Sequence, residues 1–272
     1  MISLLNKKRI LEYLKNNQKR FDGRKPFEIR KIKFSENISK NAEGSVSVKV
    51  GNTEVYAGVK MTLVEPYPDS PDEGSMSVSV ELSPMADEDF ELGPPKIDAI
   101  EMARVVDRGI RESGFIDFKK LCIKEGEKCW QINLDIYAIN NDGNLLDACS
   151  FAALAALCLA KMPKYNEKEE KIEKELTDMS LPLNKKLMPI MITFYKLGDV
   201  FIIDPAREEE EVADYRLSIA VSEKDGNLRI NAMQKGKEGS VSIKEIEKIL
   251  DSLEEIYKRE YLKIKEKILG YG

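Results

Sequence analysis

Short runs of alternating apolar and polar residues recur along the chain, and each stops at a turn signal. Val46, Val48 and Val50 alternate with Ser47 and Lys49 as far as Gly51-Asn52-Thr53, and residues 54–64 run back, the pattern of a β-hairpin. Met76, Val78, Val80 and Leu82 repeat the alternation after a loop at 65–74 that carries three prolines. A strand is predicted earlier, over 27–34, and another from Trp130 through Ile132, Leu134 and Ile136 to the turn Asn141-Asp142-Gly143. The later part of the chain repeats the scheme. Residues 189–196 and 200–204 flank Gly198-Asp199, Leu217, Ile219 and Val221 alternate with Arg216, Ser218 and Ala220, and Asp225-Gly226 turns into 228–233.

Helical spacing separates these runs. Leu4, Leu11 and Leu14 among lysines predict an amphipathic helix over 4–15 with one docked face. Residues 96–113 hold helix formers without proline and close at Gly114. Residues 147–162 are apolar nearly all round, which marks a helix enclosed by the core. Ser242 with Glu245 forms a capping box ahead of a long helix towards Leu269. Strands followed by a helix, twice over, predict an α+β fold of two similar β-α-β-α halves, with helices mainly on one side of each sheet. The divisions that follow are an N-terminal helix and arm (1–26), a first domain (27–162), a charged connector (163–188) and a second domain with the long helix (189–272).

Composition narrows the chemistry. The chain has no histidine, which removes imidazole acid–base catalysis, Ser-His-Asp triads and histidine-ligated metals. Cys122, Cys129, Cys149 and Cys158 lack Cys-x-x-Cys spacing and sit mostly among apolar neighbours, as reduced thiols do. No leader pattern is visible and the most apolar segment, 148–160, is too short to cross a bilayer, so a cytoplasmic protein without membrane contact is expected. The net charge of -5 hides an uneven distribution: residues 1–33 hold eleven Lys or Arg against Glu12, Asp22 and Glu28, whereas 61–95 hold nine acids and no Lys or Arg. The basic segment reads as a solvated helix face with docked leucines, or as a surface for RNA or for other subunits. Few aromatics are interleaved there to stack bases.

The segment Arg20-Phe21-Asp22-Gly23-Arg24, followed by Arg30, resembles the opening of ribonuclease PH-like proteins, and Gly44-Ser45 through Gly51-Asn52-Thr53-Glu54-Val55 resembles their first hairpin. Residues 100–111, 142–148, and Asp204-Pro205 with 208–211 are similar to the larger, non-catalytic ring subunits of archaeal exosomes. The resemblance spans essentially the whole chain. It implies the ribonuclease PH fold and a hexameric ring of three heterodimers in which a smaller homologous subunit performs phosphate-dependent 3′-to-5′ RNA cleavage. Cap RNA-binding subunits and single-stranded RNA are the further partners it implies.

Phosphorolysis needs an anion held at a helix start by backbone amides and a cation. By the resemblance, active relatives carry a hydroxyl residue and an arginine just after the Asp-Gly turn; here Asn144, Leu145 and Leu146 stand there, with Asp147 next. Leucine offers no donor, and a carboxylate in the first turn competes for the same positive pole. Asp147 reads as a helix cap and the leucines as core, so no catalytic residue, metal or cofactor is predicted. Arg104, Arg108 and Arg111, at i, i+4 and i+7, share a helix face suited to successive phosphates. The resemblance places Arg104 and Arg108 toward the partner's active site and leaves Arg111 open, as an ordinary face bridged to Glu101, Asp107 and Glu112 would also fit. Glu208 and Asp214 resemble the paired acids of active subunits, which keeps a self-sufficient phosphorolytic exoribonuclease as the alternative; otherwise residues 208–211 are a solvated acidic run closing a hairpin, or meet basic surface on a neighbour. A small-molecule phosphotransfer enzyme ranks last, since no Gly-x-x-x-x-Gly-Lys-Ser loop is present.

Overall fold

The computed structural model describes residues 4–17, 19–166, 169 and 171–271, without the side chains of 4–6 and 174. In chain order the elements are α1 (Leu4–Asn17), β1 (Ile32–Glu36), β2 (Gly44–Val50), β3 (Thr53–Val64), β4 (Ser75–Leu82), α2 (Ile97–Arg111), β5 (Cys122–Lys124), β6 (Lys128–Asn140), α3 (Leu145–Leu159), β7 (Lys161–Asn166) and β8 (Lys171–Ser180). There follow β9 (Ile190–Leu197), β10 (Val200–Ile203), α4 (Arg207–Val212), β11 (Tyr215–Lys224), β12 (Asn227–Gly236), α5 (Ile243–Ile256) and α6 (Leu262–Leu269), the last two joined by a π-helical turn, Tyr257–Tyr261.

The first sheet has the order β1-β2-β3-β6-β4, with β5 paired to β6. Its central hairpin forms where predicted, but with Val50 opposite Thr53 across Gly51-Asn52, so Thr53 belongs to the returning strand and not to the turn. Val46, Val48, Val50, Val55 and Val59 point into the core while Lys49, Tyr56 and Lys60 face outward, the alternation a half-buried antiparallel sheet demands. β4 runs parallel to β6, so its return requires the crossover through α2 and β5. The second sheet, β10-β9-β11-β12, is wholly antiparallel.

α3 lies between the two sheets, touching β2 and β3 of one and β9 of the other. Every residue from Leu145 to Cys158 is buried, which is why its sequence carries no polar face. Its end crosses β2 so closely at Gly44 that a Cβ there would stand 2.5 Å from the Ala156 carbonyl oxygen and the Ala160 nitrogen.

Three expectations change. The second sheet is covered on both faces: Tyr195, Leu197 and Ile202 pack under Ile10 and Leu14 of α1, and Met191 and Ala220 meet Gly109 of α2, while Ile192, Phe194, Leu217 and Ile219 face the main core. Leu14 docks and Leu11 is partly buried; the side chain of Leu4 lies outside those described. The first strand starts at Ile32 rather than at Phe27, because the preceding segment is drawn to the second lobe: Pro26 accepts from the Ile203 amide at 3.0 Å and the Arg30 amide donates to Asp204 at 2.7 Å. The charged connector folds as the β7–β8 hairpin, in which Lys164 pairs with Glu173 at 2.7 Å, so charge of both signs stabilises strands that carry little apolar pattern. Residues 167, 168 and 170 of it are outside the described set.

Candidate functional site

The start of α3 is the place where the resemblance to ribonuclease PH-like proteins puts the anion of active relatives. The chain reaches it through a sharp turn: Gly143 has φ +86°, and a Cβ there would lie 2.5 Å from the Pro205 carbonyl oxygen. That close approach brings the loop before α4 against the start of α3. Asn144 follows with φ +58°, and its backbone amide donates to Glu210 Oε2 at 2.8 Å. Glu210 Oε1 accepts from the Tyr195 hydroxyl at 2.8 Å, and Tyr195, its pKa pushed well above the ordinary value by burial and then by Glu210, stays protonated as the donor. A carboxylate of the chain itself therefore occupies the positive end of the helix.

Behind this contact lies a network joining the N-terminal arm to the second lobe. Arg20, 1% exposed, donates through Nε to Glu209 Oε1 at 2.9 Å and through Nη1 and Nη2 to the carbonyls of Ile203 and Asp204 at 2.9 and 2.7 Å; a second contact joins Nη2 to Glu209. Arg24 pairs with Asp22 and Asp204 at 2.7 and 2.8 Å. Arg30 pairs with Asp204 at 2.7 Å and donates to the carbonyls of Asp142 and Gly143 at 2.7 and 3.0 Å. Burial works to raise the Asp204 pKa, but the hydrogen bonds and charge of Arg30, with Arg24, outweigh it and hold the carboxyl below its ordinary value. The arginines of the Arg-Phe-Asp-Gly-Arg segment and Arg30 are thus each engaged by this chain's own acids.

The two leucines predicted as core are core, Leu145 at 5% and Leu146 at 4% exposure. Asp147 is not a helix cap. The N-cap is Asn144, which makes no side-chain cap bond, and Asp147 is wholly buried, accepting from the Thr193 hydroxyl at 2.6 Å, the Thr193 amide at 3.2 Å and the Asn144 side chain at 3.2 Å. Burial pushes its pKa up to about 7; the bonds from Thr193 and Asn144 pull the other way and Asp204 adds to the push.

The acidic run 208–211 is not a solvated hairpin closure. It forms α4, which turns Glu209 inward onto Arg20 and Glu210 onto Asn144 and leaves Glu208 exposed. Asp214 caps the β9–β10 turn, accepting from the Gly198 amide at 2.9 Å and from Lys7 at 3.2 Å. Glu208 and Asp214 share no partner among the described residues, and no group of three or more potential metal-ligating side chains gathers there. Glu209 and Glu210 were the residues hidden from sequence reasoning; the run of acids was visible, but not which of them turn inward.

On α2, Ala99, Ala103, Val106 and Ile110 dock the helix, and Arg104 and Arg108 stand exposed without an ion pair among the described residues. Arg108 borders a cleft of about 320 Å³ shared with Ser218, Asn231 and Gln234, and Arg104 borders the groove between α2 and β4. Arg111 differs: it pairs with Asp107 at 2.7 Å, donates to the Met76 carbonyl at 2.9 Å and lies 5.4 Å from the Phe118 ring centroid. Glu101 pairs with Arg216 at 2.8 Å, across to the second sheet, rather than with a neighbour on its own helix.

Two lobes, each a sheet backed by helices, with the first lobe's interior helix opening after an Asp-Gly turn, define an α+β protein of the ribonuclease PH fold. The chain matches the 3′ exoribonuclease family, domain 1 over residues 28–163 and domain 2 over residues 188–252, and it belongs to that family. It is 46% identical over 222 residues to the exosome complex component Rrp42 of Methanosarcina mazei, covering 82% of this chain and 80% of that protein. It is 42% identical to the exosome complex component Rrp42 of Thermoplasma acidophilum, covering 95% of each. A chain of the Archaeoglobus fulgidus exosome with RNA bound to the active site superposes with a TM-score of 0.81 at 43% identity, covering 91% of this chain and 92% of that one.

Proposed function

We propose that this chain is the non-catalytic ring subunit of an archaeal exosome, which forms a hexamer of three heterodimers with a catalytic ribonuclease PH-like subunit and helps position single-stranded RNA for phosphorolytic 3′-to-5′ degradation. The observation that carries the proposal is the Glu210 carboxylate on the Asn144 amide at 2.8 Å. An incoming phosphate would meet an anion already seated at the helix start, flanked by two buried leucines and by arginines committed to Asp204 and Glu209. Arg104 and Arg108, exposed and without an ion pair among the described residues, remain free to pair with phosphates of a strand held in the partner's active site. Cap RNA-binding subunits would complete the assembly. Four free cysteines agree with a reducing compartment, the cytoplasm.

The test is reconstitution. The purified chain should release no nucleoside diphosphate from oligoadenylate and phosphate, and co-expression with the catalytic subunit should give a complex of ring mass that does. Arg104→Ala with Arg108→Ala should lower that activity about tenfold or more and flatten its salt dependence, since two RNA phosphates then go unpaired. Diphosphate release by the isolated chain would overturn the proposal.

A further inference from the structure

The basic N-terminal segment gains in three dimensions what its sequence lacks. Tyr13 of α1 and Phe21 of the following turn stack with ring centroids 4.4 Å apart and planes 19° from parallel, and they remain 36% and 48% exposed. Such a pair at the surface presents an outer π-face to solvent with its inner face already fixed. Neighbouring the two rings in sequence, Lys15, Lys19 and Lys25 line one groove of about 650 Å³ together with Leu14, Asn17, Pro26 and Val200. The acids of the segment have partners within it: Glu12 pairs with Lys8 at 3.8 Å and Asp22 with Arg24 at 2.7 Å, while Glu28 accepts from the Lys25 amide at 3.0 Å, at the groove itself. Arg9, Lys15, Lys19 and Lys25 have no ion pair among the described residues.

We infer that this groove is a second, sequence-independent binding site for single-stranded RNA, in which the three lysines pair with backbone phosphates and a base stacks on the Tyr13–Phe21 pair. Cations tracking a strand beside exposed aromatic faces are what single-stranded nucleic acid requires. An acidic protein segment would use the lysines but gain little from a flat, exposed ring pair. Only the class of ligand is shared with the exosome reading. The groove belongs to the N-terminal arm and the β10 side of the second sheet, whereas Arg104 and Arg108 lie on α2, so binding here needs no catalytic subunit.

The experiment is fluorescence anisotropy of a labelled fifteen-nucleotide oligoadenylate with the full-length chain, in the Arg104→Ala, Arg108→Ala background to silence the other surface. That background should still bind, with affinity falling as salt rises. Adding Lys15→Ala, Lys19→Ala and Lys25→Ala should reduce the salt slope by about 2, at roughly 0.7 for each phosphate no longer neutralised. Phe21→Ala should weaken binding roughly tenfold with the slope unchanged, and Phe21→Trp, which restores a stacking face and reports on folding, should recover it. The inference is overturned if the background variant does not bind, if the lysine variant binds as tightly with the same slope, or if Phe21→Ala has no effect and polyglutamate competes as well as oligoadenylate. The first of these leaves the reconstitution result untouched, so the two readings fail separately.

Discussion

Glu209→Ala isolates the ion pair that ties the N-terminal arm to the second lobe. The carboxylate accepts from Arg20 Nε at 2.9 and 3.1 Å and from the Ala206 amide at 2.9 Å, and the Arg20 side chain has no solvent exposure to fall back on. After truncation the guanidinium keeps the Ile203 and Asp204 carbonyls but is left without its counter-charge. Leaving one partner of a buried pair uncompensated costs about 3–5 kcal/mol. At about 2 °C per kcal/mol for a chain of this length, the melting temperature should fall about 6–10 °C. Differential scanning calorimetry at neutral pH measures it. Replacing Arg20 with methionine in the same chain should return part of the loss, because the charge that had to be compensated is gone, and a double-mutant cycle should give a coupling of at least about 2 kcal/mol. A Glu209→Ala protein melting within a degree of its parent, or single-variant losses that simply add, would show that the pair is not coupled as its geometry requires.

The Asp147 carboxyl loses its proton near 3.8 in the unfolded chain and near 7 in the folded one, so between those values the folded protein holds a proton the unfolded chain has released. The contribution of this group to stability is fully present below pH 4 and is lost as pH rises towards 7, by roughly 4 kcal/mol in all. Asp147→Asn should remove that fall; urea midpoints from pH 4.5 to 8 that run parallel for the two proteins would rule the linkage out. Gly143→Ala should cost at least about 2 kcal/mol, from the left-handed backbone and from collision with Pro205 and Ala206, whereas Gly226→Ala, also at positive φ but with open space around it, should cost about 1. Equal melting temperatures for the two glycine variants would refute the close approach at Gly143.

What the sequence made legible was what local pattern encodes. The hairpin at Gly51-Asn52, the enclosed helix α3 and the Ser242–Glu245 capping box all rest on residues within a few positions of one another, and each formed near its pattern, although α3 runs from Leu145 to Leu159 and Lys161 and Met162 pass into β7. The strand at Phe27, the connector at 163–188 and the acidic run misled because local pattern does not show which partner a residue finds. Glu209 meets Arg20 189 residues away, Glu210 meets an amide 66 residues back, and Asp147 bonds a threonine 46 residues on. No window of neighbouring residues distinguishes an acid that solvates a surface from one that seals a site. The Tyr13–Phe21 stack was unreadable for a similar cause, since the two rings belong to different elements.

The carboxylate seated on the Asn144 amide also bears on how freely the start of α3 can change by single substitutions. Installing an arginine at Leu146 alone would put a cation where the present side chain is 4% exposed, with the amide still occupied. Removing Glu210 alone would strand the Tyr195 hydroxyl and the Asn144 amide. Each single change leaves a buried polar group without its partner. The start of α3 is thus held in its present form by the groups packed around it, which must change together if they change at all.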